Sequence, residues 1–326
     1  MKYAPVLIPT LNRYEHLREC LESLSRCVGA DKTEVFVALD YPPTDNWDLY
    51  APGWEINRKW LRSVGNMGFK KLHLIEREYN YGIWKNGLKN NMSCLVEEVS
   101  KKFDVYITSE DDNVFAPCFL EYINKGLEKF EDDPTVLCIS GFKSFYSLVS
   151  DENTFFFQNV DYNPWGVASW VKKQPVELNY RWWQRHLSIK KLWHVYRCTG
   201  AKNMLSILEY SCYKEKPHGL IDRHFAAYMA LMDLYQVTPV KRTLVENRGL
   251  DGTGNMPDYR GQDWCNPALN PLSEEEHFDY VGTGWEYHEE NQRLYREGRN
   301  WNMMRPHVVL FATIRKIIKV LLHWNR

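Results

Sequence analysis

From Tyr3 to Ser140, short apolar runs alternate with segments whose apolar residues recur every three or four positions. The runs Tyr3–Ile8, Glu34–Leu39, Lys71–Ile75, Asp104–Ser109 and Thr135–Ser140 are too short for helices and predict strands. Between them, Leu17, Leu21, Leu24 and Val28 share one helical face, as do Leu88, Met92, Leu95 and Val99 within Trp84–Lys101. A further helix is predicted near 55–64, after a loop with Pro42, Pro43, Pro52 and Gly53. Another spans Pro117–Phe130, with Pro at its first position. Asn12 and Glu15, three apart, read as a capping box for the first helix. Strand and helix in strict alternation predict an α/β fold with a mostly parallel sheet flanked by helices. In such sheets ligands bind beyond the carboxyl ends of the strands, where Asp40 and Glu110–Asp112 lie.

After about residue 154 the alternation fades into Trp-rich, loop-rich sequence: "NPWGVASW", "RWWQRH", a helix near 219–234, a strand near 236–240, then "VENRGLDGTGN". There are no internal repeats and no linker. The expected organisation is therefore a ligand-binding first half (1–150), a second half of the same domain that covers the sheet edge and shapes a second pocket (151–304) and a tail (305–326). In the tail, at about 100° per residue, Arg315, Lys316, Lys319, His323 and Arg326 fall on one side of a helix. Phe311, Ile314, Ile317, Ile318, Leu321 and Leu322 spread over the other. Such a C-terminal amphipathic helix is too charged to span a bilayer and suits an anionic membrane surface. The competing expectation is packing on the protein's own body or on a second subunit.

Composition narrows the class. The 326 residues carry a formal net charge of -1, so there is no global basic field of the kind nucleic-acid binders show. The start of the chain reads as lacking a secretory signal, and no stretch is apolar enough for a transmembrane helix. Eight cysteines without CxxC pairs then read as reduced residues, which points to the cytoplasm. Aromatic content of 14% fits a large aromatic core or a surface that stacks on rings.

The chemistry concentrates in "DVYITSEDDNVFAP". A predicted strand runs into Glu110, Asp111 and Asp112, and adjacent carboxylates must be solvated, paired or bound to a cation. Oxygen ligands at a strand end suit Mg²⁺ or Mn²⁺ completed by phosphate oxygens. Acids that cap nearby amides are the competing reading.

At this point the sequence resembles a family. "YITSEDDNVFAPCFLEYI" is similar to the acidic motif and following helix of GT-A-fold (Rossmann-related) nucleotide-sugar glycosyltransferases, N-acetylglucosaminyltransferase I in particular. "PVLIPTLNRYEHLRECLESL" resembles their first strand and helix, and "VDYNPWGVASW" the segment lining the sugar pocket. "LVENRGLDGTG" resembles a bacterial surface-polysaccharide branch. The resemblance covers roughly residues 3–255, in order.

It implies roles residue by residue. Thr10, Asn12 and Arg13 meet the nucleotide, and Asp40 accepts from uracil N3–H. Asn80, Gly82 and Lys85 match a donor-side loop loosely. Asp112 is the direct metal ligand, Asp111 a water-mediated ligand or ribose contact, and Glu110 a sugar contact. Trp165 and Gly166 border the transferred sugar. An inverting displacement also needs a base for the acceptor hydroxyl. "HGLIDRHFAAYM" offers Asp222 at the region where the family carries its catalytic Asp, although Ile221 replaces the family's preceding acid. An Asp answering the helix dipole is the competing reading. Asp251 is a second candidate base, flanked by glycine as turn residues often are. The implied activity moves sugar from a UDP-sugar to a lipid-linked glycan acceptor, with Mn²⁺ or Mg²⁺ as cofactor. Rival expectations are a catalytically inactive sugar-binding or scaffold protein and a sugar-phosphate nucleotidyltransferase. The latter usually opens on a Gly-rich phosphate loop that "IPTLNRYEHL" lacks.

Overall fold

The computed structural model describes the chain except residues 1–2, 82–89, 144–151, 176–177, 212–220, 254–257, 260–261, 263–266, 287, 301–305 and 324–326. The first half builds strands β1 (Val6–Thr10), β2 (Glu34–Leu39), β3 (Lys71–Glu76), β4 (Val105–Thr108), β5 (Asn113–Phe115) and β6 (Val136–Ser140). Its helices are α1 (Tyr14–Ser25), α2 (Trp47–Ser63), α3 (Asn91–Val99) and α4 (Phe119–Lys129). The second half adds β7 (Phe155–Gln158), β8 (Val167–Trp170), α5 (Tyr180–His186), α6 (Ile189–Thr199), α7 (Ala201–Tyr210) and α8 (Ile221–Met232). After these come β9 (Tyr235–Pro239), β10 (Val245–Asn247), α9 (His288–Asn300) and α10 (Pro306–His323).

Eight strands form one sheet in the order β3-β2-β1-β4-β8-β6-β9-β7. β1–β4, β6 and β9 point one way, while β8 and the edge strand β7 run antiparallel to their neighbours. The expected α/β class with a mostly parallel sheet is therefore the class observed, with second-half strands β8, β9 and β7 completing it. Burial explains the apolar runs. In β1, Val6 and Ile8 pack with Leu17 and Leu21 of α1 and Ile123 of α4, whereas Leu7 packs with Leu95 and Val99 of α3. Successive side chains thus serve opposite faces, both covered by helices.

Three expectations change. Helix α2 starts at Trp47, so Pro52 and Gly53 lie inside a helix and not in a loop. A Cβ at Gly53 would lie 2.3 Å from the Asn12 carbonyl oxygen, so only glycine lets α2 come this close to the β1–α1 loop. The Asn12–Glu15 capping box does not form: Arg13 stands at the N-cap of α1 and makes no side-chain cap. The loop-rich region after 170 folds instead as α5–α7 around the buried Trp183, with Gly200 at φ +94° joining α6 to α7, ahead of the expected helix near 219–234, which is α8.

Candidate active site

Sheet order puts the carboxyl ends of β2, β1 and β4 side by side. Asp40 follows β2 directly, and its N–H donates to the Thr10 carbonyl at 2.8 Å. Its carboxylate accepts from Tyr41 N–H (2.9 Å) and Tyr81 N–H (3.0 Å). Burial pushes the Asp40 carboxyl up, against these hydrogen bonds and the nearby Arg77. Asn80 donates to the Tyr41 carbonyl beside it. Lys85 and Gly82 lie outside the described residues.

Glu110, Asp111 and Asp112 follow β4 within hydrogen-bond reach of the end of β1. Thr10 Oγ1 donates to Asp111 Oδ2 at 2.7 Å, and Asn57 of α2 backs Thr10 at 3.4 Å. Arg13 Nη2 bridges Asp111 Oδ1 and Asp112 Oδ2, the latter at 2.8 Å. Asp111 and Asp112 are each only 5% exposed. Burial works against the Arg13 charge, but Asp111 and Asp112 outweigh it and hold the guanidinium's pKa above its ordinary value. Asn12 lies in the same loop, under Gly53 of α2.

The second half closes the cluster. β10 pairs antiparallel with β5, setting Asn247 against Asn113 and bringing Arg248 N–H to the Asp112 carbonyl at 2.8 Å. Asn247 Nδ2 lies 2.6 Å from Asp112 Oδ1, 3.0 Å from Glu110 Oε2 and 3.2 Å from Asn113 Oδ1. Asn247 Oδ1 accepts from Gly249 N–H at 3.0 Å, so one amide ties the acidic motif to the 247–249 turn. A Cβ on Gly249 would come within 1.8 Å of Asp112 Oδ2, so the backbone itself forms this wall.

Asp222 sits in the first turn of α8. Met229 and Phe225 of this helix pack against Leu137 and Cys138 of β6 and Val167 of β8, aiming its start at the end of β4. The Asp222 charge is felt at Glu110, Tyr162 and Tyr210. Burial, then the charges of Asp112, Asp222 and Asp111, push the Glu110 carboxyl up to about 8. Asp112 is also raised, first by burial and then by Asp111. Trp165 and Gly166 precede β8, whose Val167 pairs with Thr108 of β4, so both residues lie next to the start of the acidic motif. Asp251 accepts from Thr253 N–H (3.0 Å) and Oγ1 (2.6 Å), and His16, whose charge is also felt at Asp112, stands 3.3 Å away. Those contacts make it the turn residue that a glycine-flanked Asp suggests.

Thr10, Arg13, Glu110, Asp111 and Asp112 therefore converge, with Asp222 within electrostatic reach and Asp40 one strand away. Sequence reading did not single out Asn247 or Arg77. Arg77 is buried at the end of β3, donates from Nε to Asn91 at 2.9 Å and lies over the Tyr81 ring, and its Nη2 has no partner among the described residues. The signal for Asn247 was its place at the head of "NRGLDGTG"; nothing local marks Arg77.

The donor set suits a hard divalent cation. Carboxylate oxygens are its preferred ligands, and two buried carboxylates, Asp111 and Asp112, share one guanidinium with the half-buried Glu110 beside them, which leaves unbalanced negative charge. Among the described residues, no group of three or more His, Cys, Asp or Glu is arranged to hold a metal by itself, so ligand oxygens would have to complete the sphere.

No family model matches the chain, and no curated protein matches it. Solved structures do. TarS 1–349 of S. aureus in complex with UDP aligns at TM-score 0.30 and 16% identity, over 42% of this chain and only 34% of that one. TarS 1–349 aligns at 0.43 and 11%, over 93% of this chain and 73% of that one. The mannosyltransferase PcManGT from Pyrobaculum calidifontis, in complex with GDP-Man and Mn²⁺, aligns at 0.40 and 13%, over 97% and 87%. Each is a low-identity likeness to that protein, at a TM-score below 0.5.

Proposed function

We propose that this chain is a GT-A-like glycosyltransferase that takes sugar from a UDP-sugar with the help of Mn²⁺ or Mg²⁺. The observation that carries the reading is the Glu110–Asp112 cluster at the carboxyl end of β4, with Asp111 and Asp112 buried, negatively unbalanced and lying beside Asp40 and Asp222. Asp112 and Asp111 would hold the cation. When bound, it supplies Lewis-acid neutralisation of the diphosphate leaving group.

The chain's own residues do the rest. Asp40 accepts from uracil N3–H, a buried hydrogen bond that cytosine cannot supply. Glu110, held by Asn247 Nδ2, accepts from a sugar hydroxyl. Asp222 takes the proton of the acceptor hydroxyl in an in-line, inverting displacement. Trp165 and Gly166 border the sugar.

The acceptor we propose is a lipid-linked glycan in surface polysaccharide synthesis, reached at the cytoplasmic face of a membrane. Helix α10 supports this. It packs on the body through Val309 and Ala312 and turns Leu310, Phe311, Ile314, Ile317 and Ile318 to solvent. Residues 305–326 hold five Lys or Arg and no acid, as binding to anionic lipid requires. Among the described residues no helix is long and apolar enough to cross a membrane.

Thermal shift with UDP, GDP and CDP, with and without Mn²⁺, on wild type and Asp112→Ala, tests the reading. Stabilisation by UDP that needs both Mn²⁺ and Asp112 is expected. No nucleotide effect in wild type would leave the carboxylates a structural cap and favour an inactive scaffold.

A further inference from the structure

All four carboxylate oxygens of Asp111 and Asp112 are already engaged. Thr10 Oγ1 holds one at 2.7 Å and Asn247 Nδ2 another at 2.6 Å. The remaining two, Asp111 Oδ1 and Asp112 Oδ2, share the single nitrogen Arg13 Nη2. The neutral donors Thr10 and Asn247 can sit beside a cation, since each uses an oxygen it leaves partly free. Arg13 cannot, because a metal bound at Asp112 Oδ2 would meet a positive charge about 3 Å away with little water between. Cation and guanidinium compete for one place.

Arg13 is built to leave it. It belongs to the loop between β1 and α1, stands at the N-cap of α1 without a side-chain cap, and its side chain is 20% exposed. The wall behind it is the Gly249 backbone, with Nη1 2.7 Å from where a Cβ would stand, so no side chain there holds it. A guanidinium released from two carboxylates carries a planar donor fork suited to phosphate oxygens. The incoming ligand in the proposed reaction is a diphosphate.

We propose that Arg13 exchanges partners: it holds the cation's place between Asp111 and Asp112 in the free protein and passes to the donor diphosphate when metal and nucleotide bind. This rests on the glycosyltransferase reading. It adds that the free protein resists metal alone and that metal and nucleotide load together. Removing the guanidinium would then shift the two affinities in opposite directions, which a simple phosphate contact or a simple structural ion pair would not do.

Mn²⁺ binding without nucleotide, followed by the paramagnetic resonance signal of free Mn²⁺, and UDP binding at saturating Mn²⁺, followed by calorimetry, decide it. Arg13→Gln is expected to bind Mn²⁺ alone about tenfold more tightly than wild type and UDP at least tenfold more weakly. Arg13→Lys, which keeps the charge but cannot bridge both carboxylates, should show the same signs at smaller size and serves if Arg13→Gln does not fold. Unchanged or weaker Mn²⁺ binding in both variants overturns the exchange. Unchanged UDP binding overturns its second half. Wild type that binds UDP with Mn²⁺ while neither variant moves either affinity leaves the transferase reading standing and removes this one; wild type and variants that never bind UDP remove both.

Discussion

Two carboxylate clusters stand at strand ends of the same sheet and are balanced in opposite ways. At the end of β3, Glu76 is met by two cations, Arg58 Nε at 2.9 Å and Arg62 Nε at 2.6 Å, on an open surface. The Arg62 hydrogen bond, against some burial, pulls the Glu76 carboxyl below its ordinary range. At the end of β4 the ratio reverses: among the described residues one guanidinium, Arg13, pairs with both buried Asp111 and Asp112, and Glu110 beside them rises to about 8. A folded chain that needed only to satisfy its own charges would resemble the first cluster. Unbalanced buried charge is costly to keep, and a site that receives a cation is where such a cost has a use.

The contrast breaks first at Asp222, which adds negative charge to the β4 cluster while making no part of the proposed cation site. Asp222→Asn is expected to lower turnover by about 10²–10⁴-fold, the usual weight of a general base, with UDP–Mn²⁺ affinity kept. UDP release in the presence of an acceptor, beside a binding titration, reads both. Turnover within a few-fold of wild type would leave Asp222 to answer the helix dipole. Next comes Asn247, which orients Glu110 and Asp112 without charge. Asn247→Ala should weaken Mn²⁺-dependent UDP binding by about 10–100-fold, as loss of an outer-shell hydrogen bond does at other metal sites. Loss of melting temperature with unchanged affinity would make it a fold residue only.

Sequence reading reached these two residues unequally, for a physical reason. The strands β1, β2, β3, β4 and β6 were legible because each is a short apolar run whose neighbours break it; burial on both faces demands such a run in β1 and β6, while the edge strand β3 is only half-buried. Glu110–Asp112 stood out because like charges follow one another. Asp222 came from a family resemblance. Asn247 stands within a recognisable motif but its role is not legible there, because its partners lie 134–137 residues earlier and the β5–β10 pairing that joins them leaves no local pattern. For the same reason β8, inserted between β4 and β6, escapes a reading based on alternating elements. Helix α2 was clipped at its start because Pro52 and Gly53 are loop signals in isolation. Gly53 stands inside the helix because the β1–α1 loop packs against it and leaves no room for a side chain.

The smallest effects test the charge balance itself, through pH. Glu110 has a folded-state pKa near 8, above the ordinary 4.5, so its bound proton stabilises the fold fully below about 4.5 and that contribution is lost as pH rises through about 8. Glu76 has the opposite sign. Its pKa is depressed, so its contribution is present above the ordinary range and is lost as pH falls through it. Melting curves of metal-free protein should therefore decline from pH 6.5 to 9, by several degrees, with the decline flattened in Glu110→Gln. Glu76→Gln should leave that interval unchanged and shift the midpoint at neutral pH by no more than about 2 °C, because exposed ion pairs contribute little. Mn²⁺ with UDP should reverse the alkaline decline in wild type, since a cation favours the ionised cluster. A decline of equal steepness in Glu110→Gln would mean that the unbalanced charge resides elsewhere, and the difference between the two strand ends would lose its chemical meaning.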